Sequence, residues 1–186
     1  MKVVAIQASP NLNGLTSSLA QAVLQGVNAE GEETELVHLN RFKIEPCIAC
    51  ETGWGKCRKE GNCVIEDDFE DLRKKIAAAD VLVFATPVYF GDLSESARIF
   101  LDRLRRCEAF SELGTFSGKK AIGISSAGGS GRGAVRALLH LEDYLRRLEF
   151  DVFDLVPVTK SSKDHKIRML EDAGRCLVEN SGHSAS

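Results

Sequence analysis

The chain has 186 residues, of which 44% are hydrophobic and 27% charged, and its formal net charge at pH 7 is −3. These values are typical of a globular protein with one domain, large enough to bury about 70% of its unfolded surface. The slightly acidic balance gives no reason to expect nucleic acid or a membrane surface as a partner. No apolar run approaches the roughly 20 residues of a membrane-spanning helix, and no signal peptide is visible. We therefore expect a cytoplasmic protein.

Five apolar, β-branched runs alternate with five segments of helical periodicity. The predicted strands are 3–8, 35–39, 81–86, 121–125 and 152–158. The predicted helices are 16–28, 67–79, 94–106, 133–148 and 163–179. Such alternation is typical of an α/β protein with a parallel sheet covered on both faces, the charged second strand suiting an edge. We predict one domain over residues 1–180, with an irregular insertion at 43–65 and a disordered tail at 181–186.

The first predicted strand runs into a hydroxyl-rich loop at the start of the first helix. A helix N-terminus attracts anions, and this one adds the side chains of Ser9, Asn11, Asn13, Thr16, Ser17 and Ser18. No lysine or arginine lies between Lys2 and Arg41, so neutral donors would hold a phosphate here, as suits the monoester of a cofactor. The loop matches neither the P-loop nor the dinucleotide glycine motif. The alternative is an ordinary turn with Thr16 or Ser17 as N-cap.

Two further loops follow predicted strands. The first contains Pro87, Val88, Tyr89, Phe90 and Gly91, and its two aromatic residues predict a wall for a flat ligand. The alternative is that the two rings plug the top of the core.

The second of these loops begins Ser126, Ala127, Gly128, Gly129 and has four glycines between 128 and 133. Glycines let the backbone approach a ligand, whereas flexibility without a ligand is the alternative. Because parallel strands bring their carboxyl ends to one edge, the three loops together predict a site for a phosphorylated planar cofactor.

These loops resemble those of the flavodoxin-like NAD(P)H-dependent FMN reductases, over residues 1 to about 158. The loop from Ser9-Pro10 to Thr16 resembles the FMN-phosphate loop of that family, although a basic residue often stands where this chain has Asn11. The run 86–91 resembles its isoalloxazine loop, and 126–129 its third flavin loop. The resemblance implies a flavodoxin-like three-layer sandwich with a five-stranded parallel sheet and bound FMN.

The same resemblance implies an oxidoreductase that takes electrons from NAD(P)H to a small acceptor: a quinone, a flavin or a metal ion. The flavin supplies this chemistry, so no catalytic side chain is expected.

Relatives of this kind usually form homodimers or homotetramers, and helix 94–107 with Asp102 and Arg103 is a candidate contact surface. The acidic pair Asp67-Asp68 is best explained as helix capping.

Four cysteines lie within the insertion, spaced Cys-x2-Cys-x6-Cys-x5-Cys: Cys47, Cys50, Cys57 and Cys63. The segment resembles that of the iron–sulfur flavoproteins, in which the second and third cysteines are usually two residues apart. An iron–sulfur cluster, a tetrathiolate zinc and a metal-free Cys47–Cys50 redox pair all remain open. A cluster would favour an electron carrier reduced by a partner protein, and a third alternative is a non-enzymatic thiol or metal sensor. Cys107 and Cys176 are predicted to be core residues.

Overall fold

The computed structural model describes residues 1–110 and 114–182 and contains a central sheet of five strands. The strands are β1 (Lys2–Gln7), β2 (Glu33–His38), β3 (Val81–Pro87), β4 (Lys120–Ala127) and β5 (Asp151–Thr159). The helices are α1 (Leu15–Ala29), α2 (Lys56–Glu60), α3 (Phe69–Ala77), α4 (Glu95–Glu108), α5 (Ala134–Arg147) and α6 (Lys163–Gly182). Short 3-10 turns lie at Leu39–Arg41, Glu51–Gly53 and Lys160–Ser162. All five predicted strands and all five predicted helices are confirmed, whereas the short helix α2 was not predicted.

All strand pairs are parallel, and the order across the sheet is β2-β1-β3-β4-β5. This is the doubly wound order of flavodoxin-like proteins, so the predicted fold class is confirmed. The charged strand β2 lies at an edge, as predicted, while β3 is buried along its whole length. The order reverses between β1 and β3, and ligands of such sheets bind beyond the carboxyl ends of the strands at that point.

Helices cover the two faces of the sheet, because successive side chains of a buried strand point to opposite sides. Val3 and Ala5 of β1 belong to the hydrophobic core shared with α1 and α6. Val4 and Ile6 belong to the core on the other face, which α3, α4 and α5 cover. The apolar face of α4 is buried there, through Ala97, Phe100, Leu101, Leu104 and Cys107. The result is a three-layer sandwich.

Helices α1 and α6 cross in close contact at two glycines. A Cβ atom on Gly26 would lie 2.0 Å from the carbonyl oxygen of Glu171, and one on Gly174 would lie 2.2 Å from that of Val23. Leu170 and Leu177 complete the buried side of α6. Cys176 lies off this line and is exposed, so its prediction as a core residue was wrong.

No helix within the described residues is long and apolar enough to cross a membrane. Helix α6 continues to Gly182, and residues 183–186 of the predicted tail lie outside the described residues.

Candidate cofactor site and cysteine pocket

Buried hydroxyl groups are concentrated at the carboxyl edge of the sheet. The fully or nearly buried polar residues there are Gln7, Ser9, Thr16, Ser17, Thr86, Ser94, Ser125 and Ser126. Burying a polar group costs free energy unless it is hydrogen-bonded, so this concentration marks either a hydrogen-bonded framework or a ligand site.

Ser126 joins the three predicted loops. Its hydroxyl oxygen lies 2.8 Å from Oγ1 of Thr16 in the first loop. Its carbonyl accepts a 2.9 Å hydrogen bond from the N–H of Val88 in the second loop. Ser94, the N-cap of α4, adds a link by donating to the carbonyl of Ala8 over 3.0 Å. The loops that the sequence predicted to form one site are therefore held together at this edge.

The N-terminus of α1 has hydrogen-bonding capacity to spare. Its N-cap is Gly14, which has no capping side chain, and the first turn has no acidic residue. The alternative in which Thr16 or Ser17 caps the helix is therefore wrong. The Ser17 hydroxyl oxygen is buried and has no hydrogen-bond partner within the described structure. An uncapped helix start with a buried, unpartnered hydroxyl suits a phosphate group.

The rest of this first loop is ordered by short-range hydrogen bonds. The side-chain oxygen of Ser9 accepts from the N–H of Asn11, and that of Asn11 accepts from the N–H of Asn13, each over 3.2 Å. Ser18 donates its hydroxyl to the carbonyl of Gly14 over 3.2 Å. These bonds fix the turn that leads the backbone into α1.

A tight turn carries the two aromatic residues of the second loop. Tyr89 and Asp92 exchange backbone hydrogen bonds of 2.9 and 3.0 Å, with Phe90 at φ +52° and Gly91 at φ +79° between them. The Phe90 side chain is fully exposed, at 108%, and Tyr89 is 39% exposed. The alternative in which these rings plug the core is therefore wrong. A left-handed backbone at Phe90 and an exposed ring are features expected of a ligand or partner contact.

The second and third loops enclose a cleft of about 530 Å³. It is lined by Val88, Phe90, Gly91, Arg136 and residues 127–133. Gly133, at φ +83°, packs so closely that a Cβ atom there would lie 2.5 Å from the Cα of Gly91. Gly128 and Gly129 differ, because a Cβ atom on either would meet nothing within 4 Å. The missing side chain of Gly133 thus allows the two loops to pack closely, whereas the backbone of Gly128 and Gly129 is open to the cleft.

Asp92 fastens the aromatic turn to two helices. One carboxylate oxygen lies 2.8 Å from Nδ1 of His140 on α5, and the other pairs with Arg98 on α4. Burial would raise the pKa of Asp92, but hydrogen bonds from His140 and from the N–H of Leu93 lower it below its usual range. The contacts of Asp92 with His140 and Arg98 were not predicted from the sequence.

All four cysteines of the insertion line one mostly apolar pocket against α4. The lining includes Cys47, Cys50, Cys57 and Cys63, and also Cys107, Arg103 and Arg106. The enclosed space is about 20 Å³, enough for a single water molecule. Among the described residues no three Cys, His, Asp or Glu side chains are arranged to hold a single metal ion. The structure thus brings the predicted thiols to one place without forming a preassembled one-ion site.

The chain around these thiols is strained. Ala49, Glu51 and Thr52 have positive φ angles of 47°, 49° and 64°. Ala49 lies between Cys47 and Cys50, and the other two residues directly follow Cys50. Such conformations cost about 1–3 kcal/mol each in residues other than glycine and cluster at functional sites. These three strained residues thus lie beside Cys47 and Cys50, in the part of the insertion that contains the first two thiols.

Two arginines of α4 border the pocket. Arg106 donates to the carbonyl of Gly53 over 2.7 Å and lies 4.8 Å above the ring of Trp54. Arg103 is 1% exposed and forms a two-pronged ion pair with Asp67 of 2.6 and 3.0 Å. The proposed surface role of Arg103 in an oligomer contact is therefore wrong.

The acidic pair does more than cap a helix. Asp67 accepts the N–H of Glu45 over 2.8 Å as well as the Arg103 ion pair, and Asp68 accepts the N–H of Lys43 over 2.6 Å. Asp68 is the N-cap of α3 yet makes no side-chain cap bond. The capping explanation is thus incomplete, since the pair chiefly ties the start of the insertion to the fold.

Cys107 was predicted to be a core residue and is buried, but it also belongs to the cysteine pocket. Burial raises the pKa of its thiol to about 12. The sequence contained a signal for the side of the pocket that α4 forms, because positions 103, 106 and 107 fall on one helical face. It was missed because arginines on a helix are usually solvent-facing.

The chain is similar to several known proteins. The family described as NADPH-dependent FMN reductase matches residues 1–161. An iron–sulfur flavoprotein of Methanocaldococcus jannaschii is 36% identical over 130 residues, covering 69% of this chain and 65% of that protein. One from Methanosarcina thermophila is 33% identical over 137 residues, covering 72% and 66%. The solved NAD(P)H:quinone oxidoreductase from Methanothermobacter marburgensis matches with a TM-score of 0.73 at 22% identity, covering 95% and 96%.

The fold defines a flavodoxin-like α/β protein, in which the three predicted loops lie together at the carboxyl edge of the sheet. Since the family match extends over most of the sequence, the chain belongs to the NADPH-dependent FMN reductase family. The chain spans about half to two thirds of the length of the iron–sulfur flavoproteins it matches. The structural match, at 22% identity, bears on the fold alone.

Proposed function

We propose that this chain binds FMN at the carboxyl edge of the sheet and transfers electrons from NAD(P)H to a small acceptor such as a quinone, a free flavin or a metal ion. The observation that carries the proposal is the uncapped start of α1 with the buried, unpartnered hydroxyl of Ser17. A phosphate monoester supplies the acceptor oxygens that this hydroxyl and the free N–H groups lack. Family membership supports the same cofactor.

The residues present fit FMN in three parts. The Ser9–Ser18 loop would hold the phosphate, the Tyr89–Gly91 turn would contact the ring, and the open backbone at Gly128 and Gly129 would lie against it. When bound, FMN supplies the two-electron chemistry. The chain positions the cofactor, and its loop N–H groups stabilise negative charge near the ring. This assignment requires no catalytic side chain.

Turnover tests the reductase activity directly. We expect FMN-loaded protein to oxidise NADH or NADPH faster than an equal concentration of free FMN, with a quinone, a flavin or ferric iron as acceptor. Rates equal to free FMN with all three acceptors would contradict a reductase and favour a carrier reduced by a partner protein. A chain with no measurable FMN affinity would instead favour a thiol or metal sensor.

Replacing Ser17 tests the phosphate site. We expect Ser17→Ala to weaken FMN binding by about 10-fold to 100-fold, because a hydrogen bond to a charged group contributes about 1.5–3 kcal/mol. The stability of the apoprotein should not fall, since the hydroxyl has no partner to lose. Flavin-fluorescence titration and urea unfolding measure the two effects. Ser117→Ala, an exposed serine before β4, is the matched control, and an unchanged FMN affinity in Ser17→Ala would contradict the phosphate assignment.

Alanine substitutions of Gly133 and Gly128 in the third loop are expected to have different effects, the first on the stability of the fold and the second on FMN affinity. Gly133→Ala should destabilise the apoprotein by about 2 kcal/mol or more, because its backbone is left-handed and its Cβ would meet the Gly91 backbone. Gly128→Ala meets open space, so its stability should change by less than about 0.5 kcal/mol while FMN affinity falls. Denaturation and FMN titration on both variants check this. Normal FMN binding by Gly128→Ala would contradict contact between this loop and the cofactor.

We further propose that the four insertion cysteines hold a thiolate-bound metal centre, and an iron–sulfur cluster rather than zinc. Support comes from their convergence on one pocket, from its two arginines and from the names of the relatives, which are iron–sulfur flavoproteins. Cysteine thiolates are the ligands of such clusters, and positive side chains offset their negative charge. A centre of this size would displace part of the present lining, because the enclosed space is about 20 Å³.

An absorption spectrum of protein purified without oxygen, with iron, zinc and flavin quantified on the same sample, tests the metal centre. Flavin bands with a broad brown shoulder and stoichiometric iron would support the cluster and an electron-relay role. Stoichiometric zinc, or flavin without metal, would contradict it and leave a simple FMN reductase.

We also propose a homo-oligomer, with a small molecule as the acceptor and neither nucleic acid nor membrane as partner. Phe90 beside the cleft and two residues one turn apart on α5, Val135 at 61% and Leu139 at 53% exposure, are large exposed apolar side chains. A second copy could cover them. Sedimentation of the wild type and of Val135→Asp/Leu139→Asp tests this, and a monomeric wild type would contradict it.

A further inference from the structure

Two adjoining clefts at the carboxyl edge of the sheet contain three basic side chains. The cleft of about 530 Å³ between the second and third loops is lined by Arg132 and Arg136. A neighbouring cleft of about 240 Å³ shares residues 129–132 with it and adds Lys160 from the turn after β5. All three side chains are exposed, and the FMN contacts proposed above use none of them.

No acidic group within the described residues neutralises this charge. None of the three basic side chains forms an ion pair or a side-chain hydrogen bond there, and no described aspartate or glutamate lines either cleft. The groove between α4 and α5 is different, because Asp92, Asp102 and Asp143 line it together with its arginines. The two clefts are therefore locally positive in a chain whose formal net charge is −3. A cleft lined by charges of one sign attracts ligands of the opposite sign.

An apolar ring borders the same positive cleft. Phe90 is part of its lining, and the ring is fully exposed. Nη1 of Arg136 lies 3.4 Å from the position that a Cβ atom on Gly91 would occupy, so this guanidinium reaches the turn that carries Phe90. Aromatic rings favour stacking with flat ligands, and guanidinium groups bind carboxylate and phosphate oxygens. The cleft thus offers contacts to both parts of a flat ligand with a negative group.

We infer that the electron acceptor is a planar anion, a quinone or other flat ring with a carboxylate or phosphate group, and that Arg132, Arg136 and Lys160 bind this group. The inference rests on the proposed function, which leaves the charge of the acceptor open. A hydrated ferric ion would be repelled by the three cations, and a neutral quinone would gain nothing from them. Arg132 is the central residue of the three, because it lines both clefts.

A naphthoquinone and its sulfonate derivative test the inference, since they share a ring system and differ in charge. The measured quantity is the ratio of kcat/KM for the sulfonate to kcat/KM for the neutral quinone, with FMN-loaded protein and NAD(P)H. Comparing this ratio between proteins cancels the different reactivities of the two quinones. In Arg132→Gln/Arg136→Gln/Lys160→Gln we expect it to fall at least about tenfold, because each exposed ion pair contributes a factor of roughly 2 to 5.

The matched control is Lys74→Gln/Lys166→Gln/Arg168→Gln, which removes the same charge at positions that line neither cleft. Its ratio should equal that of the wild type. An unchanged ratio in the cleft variant, or a change confined to KM for NAD(P)H, overturns the inference and leaves the reductase function standing. A wild type that oxidises NAD(P)H with neither quinone overturns the proposed function, and the inference with it.

Binding of naphthalene sulfonate, a planar anion that cannot be reduced by the protein, provides a readout without turnover. Calorimetry on FMN-loaded wild type should show binding that weakens when the salt concentration is raised to about 0.5 M, because salt screens exposed charges. The cleft variant should bind at least about tenfold more weakly, and the control variant as well as the wild type. Binding that is absent in the wild type, or equal in all three proteins, overturns the inference.

Discussion

Replacing Gly26 or Gly174 by alanine is expected to destabilise the protein by at least about 2 kcal/mol. Alanine ordinarily stabilises a helix interior by about 1 kcal/mol relative to glycine, so a local effect alone would have the opposite sign. Here each new methyl group would meet a backbone carbonyl oxygen of the partner helix at 2.0 or 2.2 Å. Because a helix backbone cannot yield as a side chain does, α1 and α6 must move apart, and overpacking of this kind costs about 1–3 kcal/mol or more.

Urea unfolding of the apoprotein measures this effect, and thermal melting should show a fall of about 4–8 °C for a chain of this size. Gln25→Ala is the matched control, because Gln25 precedes Gly26 on α1 and is exposed. Its stability should change by no more than about 0.5 kcal/mol. A Gly26→Ala protein more stable than the wild type would show that the two helices do not cross as closely as described. Since α1 carries the phosphate loop at its start, FMN binding should weaken in the same variants.

Much of the fold could be predicted from the sequence because its signals are local. Near-continuous apolar runs such as 81–86 are typical of buried strands between helices, and the charged run at β2 suits an edge. The three loops could be placed at one edge because parallel strands share a direction. Their roles in binding stay predictions.

Contacts between distant segments account for what was missed. Ser126 meets Thr16 across 110 positions, and Arg103 meets Asp67 across 36, with no periodic pattern to reveal either pair. Cys176 was misplaced because the crossing at Gly174 sets which side of α6 is buried. An arginine next to apolar residues on a helix gives no sign that it will be buried until its carboxylate partner is known.

Alanine substitution of Cys47, Cys50, Cys57 or Cys63 is expected to remove the bound iron. The iron content should fall from about four atoms per chain, the value for a cubane cluster, to well below one. Each thiolate would hold one iron, so a missing ligand exposes the cluster to solvent and loss. FMN binding should persist, because the cleft between the flavin loops and the cysteine pocket have no lining residue in common. Anaerobic reconstitution followed by iron, sulfide and flavin assays checks all four variants.

Cys107→Ala is the discriminating control for that series. Cys107 lines the same pocket and is buried, but it belongs to α4 and lies outside the insertion that contains the four proposed ligands. We expect this variant to keep its iron. Loss of iron in Cys107→Ala would make the fifth thiol a ligand and would explain the long Cys50–Cys57 spacing. Zinc without iron in the wild type and in Cys107→Ala, and its loss from the four insertion variants, would instead favour a tetrathiolate zinc site, with the flavin as the sole redox group.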